Sequence, residues 1–241
     1  MIVLYTDFGP ADPYVGQMHV VFAREAPRAK VIDLLHTVPA FDIRAGAYLL
    51  PALAAQFPAG AVVVGIVDPG VGGDRAPVMI HADGRWYLGP DNGLFHIVAR
   101  RAHNVEAWTI QWRPERLSKS FHGRDLFAPA AARLARGDWP ASVPGELSAP
   151  EGDWPEDLPA VIYVDHYGNA ITGLRAAGFD LTAVLAAAGR QLQHAAVFSA
   201  VTPGMPFWYE NSVGLVEIAM NRGSAAQALG LQLGDPVQVL A

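Results

Sequence analysis

The chain has no cysteine among its 241 residues, which excludes disulfides and thiolate chemistry. Cations are sparse as well: Lys and Arg number 17 against 23 Asp and Glu, a formal net charge of −6, with no basic stripe and no interleaving of basic and aromatic residues. Nucleic acid is therefore not an expected partner. No apolar run reaches the roughly 18 residues that a membrane span needs. Met1-Ile2-Val3-Leu4-Tyr5-Thr6-Asp7 lacks a basic n-region and reads as a strand, not a signal peptide, so a soluble cytoplasmic protein is expected. His-x-x-x-His, His-x-His and Glu-x-x-His spacings are missing, as are a Gly-x-Ser-x-Gly elbow, a Walker loop and a Gly-x-Gly-x-x-Gly loop after a strand. Their absence argues against a metal centre, a serine hydrolase and a phosphate cradle.

What is present suits a compact fold: 51% of residues are hydrophobic and 17% charged. The stretch Val62-Val63-Val64-Gly65-Ile66-Val67-Asp68 reads as a strand buried on both faces. It delivers Asp68 into the loop Pro69-Gly70-Val71-Gly72-Gly73-Asp74-Arg75, the kind of place where open α/β sheets bind ligands. Taken alone, Asp68-Pro69-Gly70 could equally be a tight turn with Arg75 as a surface charge. Residues 2–5 and 31–35 are further strands, and helical spacing marks 13–25, 43–55 (capped by Asp42), the run up to Arg101, and the alanine-rich run up to Gly137. Met79-Ile80-His81 and Trp86-Tyr87-Leu88 flank a hairpin turn at 82–85. This alternation predicts an α/β fold: an N-terminal, mainly parallel sheet with helices on both faces over 1–140. A proline-rich linker follows at 141–158, then a smaller, mostly β domain over 159–241. In that domain strands are expected at 160–165, 195–201, 215–220 and 236–240, a short helix within 180–193, and Leu174, Leu181, Leu185 and Leu192 in the core.

Polar residues recur in glycine-containing loops at strand ends or helix starts: Asp7 with Asp12, Asp68 with Arg75, Asn92 in Pro90-Asp91-Asn92-Gly93, and His122 with Arg124 and Asp125. Loops at one sheet edge would converge on one pocket. An Asp, an Arg and a His together suit activation of water, the imidazole or carboxylate accepting a proton while the arginine balances charge. A metal site is the competing explanation for the same residue types. In the second domain, Asp165-His166-Tyr167-Gly168-Asn169 offers a ring that can stack on a flat base and a carboxamide that can read its edge. The histidines His19, His81, His96, His103 and His194 have no such setting and read as surface or satisfied residues.

Taken in order, Thr6-Asp7-Phe8-Gly9, Asp68-Pro69-Gly70-Val71-Gly72, Gly89-Pro90-Asp91-Asn92-Gly93, Phe121-His122-Gly123-Arg124-Asp125, Asp165-x-x-Gly168-Asn169 and Asn211-Ser212-x-Gly214 span nearly the whole chain. The set resembles the S-adenosyl-L-methionine hydroxide adenosyltransferases, or S-adenosyl-L-methionine hydrolases, the sister family of the fluorinase and chlorinase. The resemblance implies attack of water on the 5′ carbon of the substrate to give adenosine and L-methionine, with no cofactor and no metal. It assigns water activation to Asp68, Arg75 and His122, the ribose hydroxyls to Asp7, the adenine edge to Asn169, and stacking to Tyr167. Ser212, Glu217 and Met220, the last through its backbone, match further nucleoside contacts, and Asp12 and Val213 the methionine end. It also implies a homotrimer with each site between neighbouring subunits. Two rivals stand beside this reading. One is a halogenase, disfavoured because Asp68 would repel a halide by several kcal/mol in a dry pocket, an order-of-magnitude figure. The other is a binding protein for the nucleoside or for S-adenosyl-L-methionine that has lost the chemistry, against which the joint presence of Asp68, Arg75 and His122 argues.

Overall fold

A computed structural model describes residues 1–240. They form two units, Met1–Leu50 with Gln56–Asp153, and the chain from Trp154 onward with Pro51–Ala55.

The first unit is built on seven strands: β1 (Ile2–Thr6), β2 (Val31–Leu35), β3 (Val62–Ile66), β4 (Pro77–Ala82), β5 (Arg85–Pro90), β6 (Val105–Ile110) and β7 (Ser142–Pro144), in the order β2-β1-β3-β5-β4-β6-β7. Strands β2, β1, β3 and β5 are parallel, β4 is antiparallel to both β5 and β6, and β7 is antiparallel to β6. Five of the seven strands therefore run one way, and the sheet is mainly parallel as expected. All five residues of β1 and all five of β3 are buried, the signature of central strands covered on both faces. Ile2, Leu4, Val62, Val64 and Ile66 pack with Met18 and Phe22 of α1 (Pro13–Glu25) and with Ala128 and Ala131 of α4 (Ala128–Ala135). The opposite face meets α2 (Ile43–Ala54), where the Tyr5 hydroxyl donates to the Gly46 carbonyl at 2.9 Å. Asp42 caps α2, its Oδ1 accepting from Ala45 N–H at 2.9 Å. Burying each such aliphatic side chain contributes roughly 1.5–3 kcal/mol, well above local helix or strand preference.

Gly65 and Gly89 are required by close approach. A Cβ on Gly89 would lie 2.1 Å from Gly65 O, and one on Gly65 would lie 2.7 Å from the Phe95 ring. With no Cβ at either position, Phe95, at the entry to α3 (His96–Arg101), can pack its ring close against β3 and β5. The expected linker is not free of structure at its start: Ser142–Pro144 pairs with β6 through Trp108, Thr109 and Ile110. A three-residue edge strand is what its proline permits.

The second unit has a four-stranded sheet, β12-β13-β9-β8, and a three-stranded sheet, β11-β10-β14. The strands are β8 (Leu158–Val164), β9 (Ala170–Arg175), β10 (Val184–Ala187), β11 (Arg190–Leu192), β12 (Pro206–Glu210), β13 (Leu215–Met220) and β14 (Val237–Leu240), with α5 (Ala225–Leu229) before the last. Single bridges Ala160↔Pro236 and His194↔Trp208 join the two sheets at both sides, closing a barrel-like ring. Trp208, 1% exposed, fills it with Val161, Ala170, Leu185, Leu192, Val216 and Ile218.

Three expectations fail here. Residues 180–193 hold no helix. Ala188 and Gly189 both take positive φ (48° and 69°) and turn β10 into β11, so cross-strand pairing overrides the helix preference of Ala186-Ala187-Ala188. Residues 195–201 are not a strand. Phe198 sits in a 3-10 turn and packs its ring on Phe207 (5.2 Å) and Tyr209 (5.4 Å), covering the sheet with side chains instead of pairing its backbone. Leu181 is 61% exposed, while Leu174, Leu185 and Leu192 are in the core. No helix among the described residues is long and apolar enough to cross a membrane.

Candidate active site

In the first unit, Asp68 lies two residues beyond β3, and its loop returns through Gly72, φ +82°, where an added Cβ would sit 2.3 Å from the Lys119 carbonyl. Only glycine lets the Asp68 loop touch the 118–120 loop in this way. Arg75 closes the first loop on itself: its Nε donates to Asp68 Oδ1 at 2.7 Å and its Nη2 to Oδ2. The same Nη2 lies 2.9 Å from His122 Nδ1. A guanidinium can only donate, so Nδ1 is the acceptor and the proton of a neutral ring sits on Nε2. Asp68 and Arg75 have side-chain exposures of only 6% and 11%, and the Arg75 guanidinium also lies over the Phe127 ring at 5.7 Å. Burial first, then the neighbouring Arg75 charge, hold the His122 imidazole below its ordinary pKa, which favours the neutral ring.

His122 precedes a single π turn, Gly123–Phe127, that runs into α4, a local irregularity common at functional sites. Arg124 and Asp125 pair with each other, Nε to Oδ1 at 2.6 Å and Nη2 to Oδ2 at 2.9 Å. Arg124 also donates to Gln17, and Asp125 accepts from Ser118 N–H at 2.9 Å. They fix the loop that carries His122. Asn92 does the same for Asp68: its Nδ2 donates to Val67 O at 2.8 Å.

Asp7 follows β1, half-buried, with Oδ2 accepting from Phe41 N–H at 3.0 Å. Burial, with a smaller contribution from the Asp68 charge, raises its pKa. Asp12, at the start of α1, makes no side-chain cap and turns Oδ2 toward Gly9. Thus Arg75 is in direct contact with both Asp68 and His122, and Asp7 is near enough to feel Asp68.

In the second unit, Asn169 is 5% exposed. Its Nδ2 donates to Asp165 Oδ2 at 2.9 Å, while its Oδ1 has no hydrogen-bond partner. A buried acceptor without a donor is costly unless a ligand supplies one. Tyr167 is 75% exposed, and its ring lies 5.6 Å from that of His166. Glu217 is 4% exposed, Oε1 accepting from Tyr209 OH at 2.7 Å and Oε2 from Asn211 Nδ2 at 2.9 Å. Burial pushes its pKa up. Val213 N–H donates to Asn211 Oδ1 at 3.1 Å, Ser212 is exposed, and the Met220 carbonyl accepts from Gly223 N–H at 3.4 Å. Tyr209 and Asn211 were not among the candidates. The signal was there: Asn211 and Gly214 close a turn that pairs Asn211 with Leu215, and counting back along the strands puts Tyr209 opposite Glu217. Among the described residues, no group of three or more His, Asp or Glu side chains could hold a metal ion.

Comparison with known proteins gives the same two parts. Residues 2–144 match the family described as SAM hydroxide adenosyltransferase N-terminal domain, and residues 159–238 its C-terminal domain. A protein of Thermus thermophilus named (R)-S-adenosyl-L-methionine hydrolase is 42% identical, with 99% of each chain covered. One of the same name from Salinispora arenicola is 40% identical, over 98% of this chain and 96% of that protein. A fluorinase of Nocardia brasiliensis is only 24% identical, over 99% of this chain and 96% of its own. A crystal structure of an uncharacterized conserved protein from Thermotoga maritima superposes with a TM-score of 0.85 at 29% identity, covering all of both chains.

Proposed function

The chain belongs to the S-adenosyl-L-methionine hydroxide adenosyltransferase family, and from that premise we infer that it is an S-adenosyl-L-methionine hydrolase, releasing adenosine and L-methionine. The observation that carries the chemistry is the contact of Arg75 with both Asp68 and His122. Water attacks C5′ from the side opposite sulfur, the C5′–O bond forms as the C5′–S bond breaks, and the bond pair leaves on sulfur as neutral methionine. A sulfonium on a primary carbon is a good leaving group, so alignment of the water and removal of its proton are the main tasks left to the protein.

We assign those tasks as follows. With Nδ1 occupied by Arg75, His122 offers Nε2–H and orients the water by donation. Asp68 takes the proton, while Arg75 keeps the carboxylate in place and balances its charge through the step. Asp7 holds the ribose hydroxyls, with Asp12 and Val213 toward the methionine end. Asn169, Tyr167, Ser212, Glu217 and the Met220 backbone receive the nucleoside; the unpartnered Asn169 Oδ1 suits an exocyclic amine. No metal has a place in this scheme, because Arg75 already supplies the positive charge. We further propose a cytoplasmic homotrimer with each site between neighbouring subunits, which light scattering would test; a fully active monomer would contradict it.

The test of the reaction is chromatography of the products formed from S-adenosyl-L-methionine by chelator-treated protein, with and without chloride. Adenosine and methionine in both samples are the expected result. A halogenated nucleoside that depends on chloride would turn the assignment to a halogenase, and binding without turnover would leave a nucleoside-binding protein.

A further inference from the structure

Asp7 can serve a ribose only if the turn that carries it is held still, and the chain holds it with a second polar cluster that takes no part in the reaction. Thr6 ends β1 and is fully buried. Its Oγ1 accepts from Phe8 N–H at 3.2 Å and lies 2.8 Å from His36 Nδ1. The Asp33 carboxylate 3.2 Å from Nε2 draws the proton of a neutral ring to that nitrogen, which leaves Nδ1 to accept the Thr6 hydroxyl proton. His36 Nε2 lies 3.2 Å from Asp33 Oδ1 without a hydrogen bond to it, and His19 Nε2 of α1 is hydrogen-bonded to the same oxygen at 2.8 Å. Burial works against the Asp33 charge, but the two imidazoles outweigh it and hold the carboxyl below its ordinary pKa.

The backbone is stitched in the same place. His36 O accepts from Gly9 N–H at 2.7 Å, Thr6 O from Val38 N–H at 3.2 Å, and Asp7 Oδ2 from Phe41 N–H at 3.0 Å. Phe41 pays for its position in backbone conformation, with φ at 65° in a non-glycine residue. The segment from His36 to Phe41 thus wraps the Thr6–Gly9 turn on both sides. The His36 ring, 9% exposed, is the only side chain within it that reaches Thr6 among the hydrogen bonds described.

We propose that His36 is a positioning residue for substrate binding: through the Thr6 hydroxyl it locks the turn that aims Asp7 at the ribose. The proposal rests on the ribose role of Asp7 given above. Without His36 the buried Thr6 hydroxyl proton has no acceptor, and the hydroxyl is free to rotate away from Phe8 N–H. The loss falls on binding and not on the chemical step, since neither Thr6 nor His36 touches Asp68, Arg75 or His122 in any hydrogen bond described.

The test is calorimetric titration of the full chain with adenosine, paired with steady-state kinetics on S-adenosyl-L-methionine. The variants are Asp7→Ala, His36→Ala, His36→Asn and the double variant Asp7→Ala/His36→Ala. His36→Ala is expected to weaken adenosine about tenfold and to raise KM by more than it lowers kcat, the scale of one lost buried hydrogen bond. His36→Asn, whose Oδ1 can take the place of Nδ1, should return to within about threefold of the parent. In the Asp7→Ala background the His36→Ala effect should vanish, as it must if the two act in series. Asp7→Ala weakened with His36→Ala normal would overturn the brace alone. Asp7→Ala with unchanged affinity would instead remove the ribose assignment on which it stands. A His36→Ala effect that persists in full in the Asp7→Ala background would mean that His36 supports the unit as a whole, and would also overturn the proposal. Should His36→Ala fail to fold, Thr6→Val removes the same hydroxyl bond at nearly constant shape and carries the same expectations.

Discussion

Asp68 and Glu217 are carboxylates of similar burial in different company. Both oxygens of Asp68 are met by one guanidinium, which in turn reaches a histidine. Those of Glu217 are met by neutral donors, Tyr209 and Asn211, and burial pushes its pKa up, as it does that of the Tyr209 hydroxyl beside it. The first cluster pairs a carboxylate with a cation, and has a base, a donor and a fixed geometry. The second has no charge to balance it and presents acceptors at fixed positions. The same residue type is fitted for reaction in one unit and for recognition in the other, and the neighbour decides which.

The largest test of that contrast lies in the first unit. Asp68→Asn, Arg75→Ala and His122→Ala should each lower kcat on the order of 10² or more while leaving adenosine affinity nearly intact. Near-normal turnover by His122→Ala would take it out of the trio. Asn169→Ala should do the reverse, weakening adenosine about tenfold with little change in kcat at saturation, the scale of a lost buried hydrogen bond. Calorimetry showing unchanged affinity would dissolve the division of labour.

The pH responses of the two clusters should differ in sign. The His122 pKa is lowered in the folded chain, so the unfolded chain binds more protons below the ordinary value of 6.5. Its contribution to stability is full above 6.5 and is lost as pH falls through the lower folded pKa. Protonation also puts a hydrogen on Nδ1 against Arg75, so kcat/KM should drop over the same range; a profile flat down to pH 5 would contradict the neutral-ring role. For Glu217 the folded pKa lies above 4.5, and stability is lost as pH rises through it. Glu217→Gln should therefore melt higher than the parent at pH 8, by roughly 2 °C, with the gain gone at pH 4.5. An equal shift at both pH values would show that Glu217 is as charged as an exposed carboxylate.

Much of the first unit could be read before any coordinates. Five buried residues in β1 and five in β3 leave no other use for such apolar runs, and an acidic residue just past each of them marks the working edge of the sheet. Asp68, Arg75 and His122 were among the loop residues that residue type and setting singled out, the family resemblance picked them as a trio, and Arg75 joins the other two. The second unit was less legible. The alanine-rich 180–193 segment favours a helix locally, yet it forms a hairpin because pairing with β14 and burial of Leu185 and Leu192 outweigh a propensity of under about 1 kcal/mol per residue. β12 escaped notice because its Phe207-Trp208-Tyr209 run does not alternate: Phe207 and Tyr209 meet the 195–201 segment on one face, and Trp208 fills the barrel on the other.

By itself, then, the sequence determined the central strands, the turn residues and the stock of reactive groups, since apolar runs and glycine-bearing turns act over a few residues through solvent and backbone sterics. The tertiary structure alone decided that Arg75 reaches His122, 47 positions away, and that His36 meets Thr6 across 30 residues. Those contacts come from strand order and register, which are set by burial summed over the whole sheet and which no local window contains.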